Sequence, residues 1–520
     1  MPGGNDTEKR LFPVIKFVND YLTYKTGDYV MKKSLSIFLA CLFVLSLMTS
    51  CAKPEVPENT TPAVNETTSP APEATTSLYD EKGFLKDSLP EVNFGDAAFN
   101  ILYWSDREHE EFVAEEQTGE AVSDAIFTRN TKVESRAGVK LSFFGTPGNA
   151  SNVDAFVNKV KASVDAGQKD YDMIGVYSYT GGALAVKGYL SDLKSQDYLD
   201  WEKPWWPKSL IEDATIKGKL FFASGDISAN VIYMMYVTFF NRQMITDRSL
   251  EDPYVLVKNG TWTIDKMFEL CAGVYEDSDS SGTPTIGDTY GIYGYTLHTD
   301  SFLCGAGVKV VEATDDGLVI SEDFAGDKTT EIVDKVSKFF KMNDRAYLLT
   351  VNSNVTQWFS AQKSLFWNDR CRSSTKFKDN EVPFGVIPNP KYDTDQKEYC
   401  SLLGNPFSLY CIPCDVNDEK MSSYVMEAYA SESYRNVSPA LYEISLKYRF
   451  TDDSTSAEMY DLIKSNVIFD LGRIFATTLG KPYAAYESAI SAGTSWAIVV
   501  KANAKSGWKN GLAAISDAFN

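Results

Sequence analysis

The stretch "DYDMIGVYSY", residues 170–179, decides the fold. A short apolar run leaves an acidic turn and ends in two tyrosines around a serine, the pattern of a strand delivering polar-tipped rings to its carboxyl end. Immediately upstream, Val153, Phe156, Val157, Val160 and Val164 fall at i, i+3, i+4, i+7 and i+11, one face of a helix. Before that helix lies a second strand, "VKLSFF" (139–144). A second helix precedes it, with Val122, Ile126, Val133 and Ala137 on one face and Gly138 as its stop. The series begins with "AFNILYWSD" (98–106), another compact apolar strand. A β-α-β-α-β order predicts an α/β domain with an open, mostly parallel sheet. Ligands of such sheets bind beyond the carboxyl ends of the strands, the kind of position held by Trp104, Asp106, Tyr177 and Tyr179.

Further motifs follow in a fixed order. "YDMIGVYSYTGGALAVKGYLSDL" (171–193) has the pattern "yDvi…la..G.l.dL". "GKLFFASGDISANVIYMMYVTFFNRQMI" (218–245) resembles "gk.y.lp………yyNk.l", and Thr261-Trp262-Thr263 resembles the "TWdE" that follows it. "AQKSLFWNDRCRS" (361–373) is similar to the "G.aAm…g" strand, and "VPFGVIPNPKYD" (382–393) to "fGv.plP". Together these resemble bacterial extracellular solute-binding proteins of family 1, the receptors of carbohydrate ABC importers, over roughly residues 95–520. "AIFTRNTKVESRAGV" and "SAEMYDLIKSNVIFDLG" resemble a branch common in anaerobic Gram-positive bacteria. The resemblance implies a two-lobe periplasmic-binding-protein-like fold (type II) with hinge crossovers, closing on its ligand like a jaw. It implies a lobe one of about 95–226 and 388–432, and a lobe two of about 229–387 and 433–520. Extra length near 270–330 and at the C-terminus departs from common members.

At the other end, "MKKSLSIFLACLFVL" begins at Met31 with two lysines and an apolar run too short to span a bilayer, the form of a signal peptide over 31–50. Met48-Thr49-Ser50-Cys51 looks like a bacterial lipobox, with Cys51 taking diacylglycerol and palmitate. Met31 is then the expected initiator and residues 1–30 a start-site extension. Residues 51–78, rich in Pro, Thr, Glu and Ala, cannot bury enough apolar area to offset their ordering entropy and read as a disordered tether before the folded part at 79–520. The expected location is the outer face of the cytoplasmic membrane, held by lipid. The net charge of −21 argues against nucleic acid and against adhesion to anionic lipid by charge.

Chemistry is bounded by counts. Two histidines, His109 and His298, close off His-rich zinc sites, and neither neighbours a nucleophile elbow. His109 lies in "SDREHEEF", read as a solvated helix start. Cys411 and Cys414 have redox spacing without a βαβ start. "SLYCIPCDV" reads as a buried strand running into a loop, and a disulfide there is compatible with an extracellular setting. The sharpest local motif is "DSDSSGTPTIGDTYG" (277–291). Asp277, Asp279, Ser281, Thr283, Thr285 and Asp288 stand at positions 1, 3, 5, 7, 9 and 12 of a calcium loop, with Gly282 at 6. The alternative is a polar Gly/Ser loop; if calcium binds, its role is structural.

Sugars present apolar C–H faces and hydroxyl rims, so a cleft for them wants flat rings beside acids and amides. Trp104, Tyr177, Tyr179 and Trp367 are the expected platforms, with Asp106, Asp226, Asn368, Asp369 and Asn405 as polar partners; Trp205, Trp206 and Trp262 are expected in the core. No Walker motif occurs, so a separate ATPase would drive the permease. The expected function is a monomeric, non-enzymatic receptor delivering a carbohydrate, an oligosaccharide, to that permease. The alternatives are the same role for a peptide or other small polar solute, or a surface glycoside hydrolase, which needs a pair of acids in the cleft.

Overall fold

Helix boundaries in the first lobe follow directly from side-chain chemistry. The helix Ala121–Ala137 starts where the Glu120 carboxylate accepts the N–H groups of Val122 and Ser123, at 3.1 and 2.8 Å. It stops at Gly138, whose φ of 63° is left-handed and whose Cβ, if present, would sit 2.2 Å from Asn93 Oδ1. The computed structural model describes residues 78–349, 356–379, 381–442 and 454–520. The expected start-site extension, signal peptide, lipidated Cys51 and tether up to residue 77 lie outside the described residues.

The strands β1 (Ala97–Trp104), β2 (Val139–Thr146) and β3 (Met173–Tyr177) are parallel, with β1 in the middle. The chain then crosses to a second, five-stranded sheet through a short helix, Ala229–Met234, that runs into β4 (Tyr236–Asn241). That sheet gains β5 (Tyr290–Tyr295). A hairpin, β6 (Val311–Thr314) and β7 (Gly317–Ile320), projects before β8 (Ala346–Leu349), β9 (Ser364–Arg370) and β10 (Phe384–Ile387) complete the sheet. Its order is β10-β4-β9-β5-β8; β5 runs parallel to β8 and β9, while β4 opposes β9 and β10. After β11 (Ser401–Leu402) the chain returns as β12 (Ser408–Cys411), antiparallel to β3 at the edge of the first sheet. Cys411 is buried on that strand and Cys414 exposed beyond it, both free thiols.

Three crossings lie side by side. β11 pairs with β13 (Val467–Ile468), and Met235 bridges to Leu403. The result is two α/β lobes joined by adjacent short segments. Such a joint turns by small changes in a few backbone angles and leaves each core intact. Trp205, Trp206 and Trp262 are buried, and the first two indoles donate to the carboxylate of Glu427 at 3.0 and 2.9 Å. No helix among the described residues is long and apolar enough to cross a membrane.

Candidate functional site: the cleft between the lobes

β1 and β3 deliver aromatic rings to their carboxyl ends. Trp104, the last residue of β1, donates its indole N–H to Ser408 Oγ at 2.8 Å and meets Tyr177, the last residue of β3, edge to face at 5.5 Å. Tyr177 meets Tyr179 in the same way at 5.1 Å. Three of the four expected platforms thus form one run of rings. Trp104 and Tyr177 are buried and Tyr179 is half-buried. Burial raises the Tyr177 hydroxyl above its usual range and pushes that of Tyr179 up to about 12, so both stay protonated donors.

The second lobe turns matching ends toward them. β5 finishes at Tyr295, half-buried, and β9 at Arg370. The charge of Arg370 acts on Tyr177 in lobe one and on Tyr236 and Tyr295 in lobe two; that of Arg473 acts on Tyr177, Tyr179 and Tyr236. The lobes touch where Arg372, just past β9, gives Nη1 and Nη2 to the two oxygens of Glu110, just past β1, at 2.7 and 2.5 Å. Arg107 reaches the same Glu110 carboxylate at 3.3 and 3.4 Å.

Beneath lies a buried polar floor. Arg473 donates to Asp300 at 2.5 Å and to Asn405 Oδ1 at 2.8 Å, so the expected Asn405 does belong to this cluster. Burial, then the Asp300 charge, push the half-buried Glu487 carboxyl up to about 9, keeping it a neutral acid beside Tyr179 and Tyr295.

The remaining expected residues go elsewhere. Trp367 is fully buried, packed edge to face on His298 at 5.6 Å with its indole N–H on Asp369 at 3.3 Å, and offers no face to a ligand. Asn368 is buried and donates to Thr238 Oγ1 at 2.9 Å. Asp369, also buried, accepts from Ser373 Oγ and from Arg370 Nε at 2.6 and 3.2 Å, so it positions Arg370 and does not meet a ligand itself. Asp106 stays at the rim, where its carboxylate accepts from Gly148 N–H and Asn149 Nδ2, both at 2.8 Å. Asp226 instead lines a cavity of about 400 Å³ beside the crossings, with Val231, Ile232, Met235, Lys464 and Phe469. "SDREHEEF" is only partly solvated: His109 is exposed, yet Glu111 is fully buried. Sequence reasoning passed over Arg107, Glu110, Asp300, Arg372 and Arg473; it placed Arg370 with Trp367, Asn368 and Asp369 in the expected cleft stretch but gave it no role.

In the calcium-type loop, Asp277, Asp279 and Asp288 bring carboxylate oxygens within 4.8 Å of one another. Ser281 and Gly282 N–H groups donate to Asp277, and Thr285 Oγ1 to Asp279 and Asp288 at 3.0 and 3.3 Å. The donor set is all oxygen, which suits a hard cation.

No family model matches the chain, and no curated protein matches it. Solved structures do. A cyclic alpha-maltosyl-1,6-maltose binding protein from Arthrobacter globiformis is 13% identical with a TM-score of 0.53, over 82% of this chain and 99% of that one. The maltose/maltodextrin-binding domain MalE from Bdellovibrio bacteriovorus bound to maltotriose is 11% identical with a TM-score of 0.51, over 79% and 99%. The maltose-binding periplasmic protein MalE from Listeria monocytogenes, in complex with maltose, is 13% identical with a TM-score of 0.51, over 81% and 97%. At such identities the likeness establishes the fold: this chain has the two-lobe fold of the maltose-binding proteins.

Proposed function

We propose that this chain is the receptor of an ABC importer, anchored by lipid on Cys51, that captures an oligosaccharide between its lobes and delivers it to a permease driven by a separate ATPase. One observation carries the reading. The carboxyl ends of two sheets meet with the half-buried rings of Tyr179 from one lobe and Tyr295 from the other, backed by the buried Trp104, Tyr177 and Tyr236, around arginines and acids. Flat rings suit the C–H faces of a pyranose, and forked donors and carboxylates suit its hydroxyls. Solved proteins of this fold bound to maltotriose and to maltose support the ligand class. The mechanism is a population shift without a covalent step. Ligand touching both lobes has its full contact set only in the closed state, so binding favours closure. The calcium-type loop lies in lobe two ahead of β5 and, in this reading, holds calcium as a structural brace.

The test is a thermal-shift screen with mono-, di- and oligosaccharides and short peptides, coupled to chromatography of each mixture. A ligand that binds only the folded form raises the melting temperature by mass action. A shift with one glycan class and no new products supports the receptor. Shifts with peptides alone, or released fragments of a glycan, would contradict it.

A further inference from the structure

Three arginines meet at the mouth of the cleft, from both lobes. Arg107 lies over the Trp104 ring at 5.7 Å and Arg372 over the Tyr233 ring at 5.8 Å, and both share the single carboxylate of Glu110. Arg370 gives its Nε to Asp369, and its stem packs where a Cβ on Gly404 would come within 2.7 Å. Among the described residues the terminal nitrogens of Arg370 make no hydrogen bond, although 24% of the side chain's surface is exposed. Arg107 Nε is buried and likewise unpartnered. The acids are already committed. Asp369 also takes Ser373 and the Arg370 backbone, Asp106 turns to Gly148 and Asn149, and Asp300 is matched to Arg473.

We infer that the cleft is built for a glycan carrying a carboxylate, a uronate-bearing oligosaccharide, with the Arg370 fork as its anchor and Arg107 as second donor. The inference rests on the receptor reading above and narrows its ligand. A guanidinium presents two parallel N–H groups that match a carboxylate's two oxygens, whereas a neutral sugar hydroxyl uses only one. Two carboxylates, Glu110 and Asp369, stand against the three guanidiniums, which leaves one positive charge over for an arriving anion. Burial, and the charges of Arg372 and Arg370, hold the Arg107 guanidinium below its usual pKa despite the opposing pull of Glu110. The half-buried rings of Tyr179 and Tyr295 then remain free to face the sugar carbons. This concentration of cations stands out in a chain of net charge −21, where solubility alone would not place it.

The test is calorimetric titration of the full chain, purified in detergent, with oligosaccharides of galacturonate, glucuronate and mannuronate. Their carboxyl-reduced neutral counterparts, maltotetraose and a sulfated oligosaccharide complete the panel. One uronate series should bind about tenfold or more tighter than its reduced counterpart, because a charge-assisted bidentate pair is lost on reduction. Arg370→Gln and Arg107→Gln, checked for unchanged melting temperature, should each weaken the uronate by a larger factor than the neutral sugar and so erase most of that preference. A neutral glycan bound as tightly as any uronate would overturn the inference and leave the receptor reading intact, as would a variant that weakens both sugars equally. Equal binding of the sulfated glycan would overturn the carboxylate assignment. Failure of every glycan, with peptides binding, would remove the sugar reading and this inference together.

Discussion

His298 is 2% exposed and ringed edge to face by Tyr236, Tyr295 and Trp367 at 5.9, 5.5 and 5.6 Å, with Asp369 Oδ1 at 3.2 Å from Nε2. Burial outweighs the neighbouring carboxylate and lowers its pKa to about 4. With the folded value below the unfolded one, near 6.5, the unfolded chain takes up the proton first as pH falls. Stability from this group is therefore full above 6.5 and lost toward pH 4, on the order of 3 kcal/mol. Urea titrations across that window should show the slope, reduced in His298→Asn; an unchanged slope would refute the assignment. Gly225 is a second single-residue test. Its φ is +134°, and a Cβ there would lie 2.3 Å from the Trp205 carbonyl oxygen. Gly225→Ala should cost about 3 kcal/mol, read as a fall in melting temperature.

Among elements, the short turn Glu108–Phe112 after β1 carries more than its composition suggests. Glu111 accepts from Ser228 Oγ, Asn230 N, Asn230 Nδ2 and Tyr410 OH, at 3.1, 3.1, 2.6 and 2.7 Å. It ties β1 to the first crossing and to the return strand β12. Glu111→Gln turns an amide N–H₂ toward these donors and should destabilise by about 2–4 kcal/mol in denaturant melts. That role was not legible in "EHEEF", because the partners stand 117 to 299 residues away in sequence. By contrast β1, β2, β3 and their helices were legible, since periodicity and the Gly138 stop are local signals. β9 shows the boundary between the two cases. "WNDR" marks a functional strand, but burial of Trp367 and exposure of Arg370 depend on which neighbours cover the strand, and the strand's own letters do not say. The calcium-type loop is testable as an element: calcium should raise the melting temperature relative to chelator, and Asp279→Asn should abolish the difference.

For the whole molecule, the Arg372–Glu110 pair links the lobes across the cleft, Lys309–Asp213 links them elsewhere, and adjacent short strands carry the joint. An ion pair with both side chains about a third exposed is weak, so it biases closure without locking it. Glu110→Gln should shift the ligand-free population toward open forms, seen as a larger radius of gyration in solution scattering, with the folded content unchanged.

The most direct measurement is solution scattering of the protein with and without saturating oligosaccharide. A bound glycan should lower the radius of gyration and be recovered intact. A radius unmoved by every glycan, or a glycan recovered as fragments, would contradict the receptor reading.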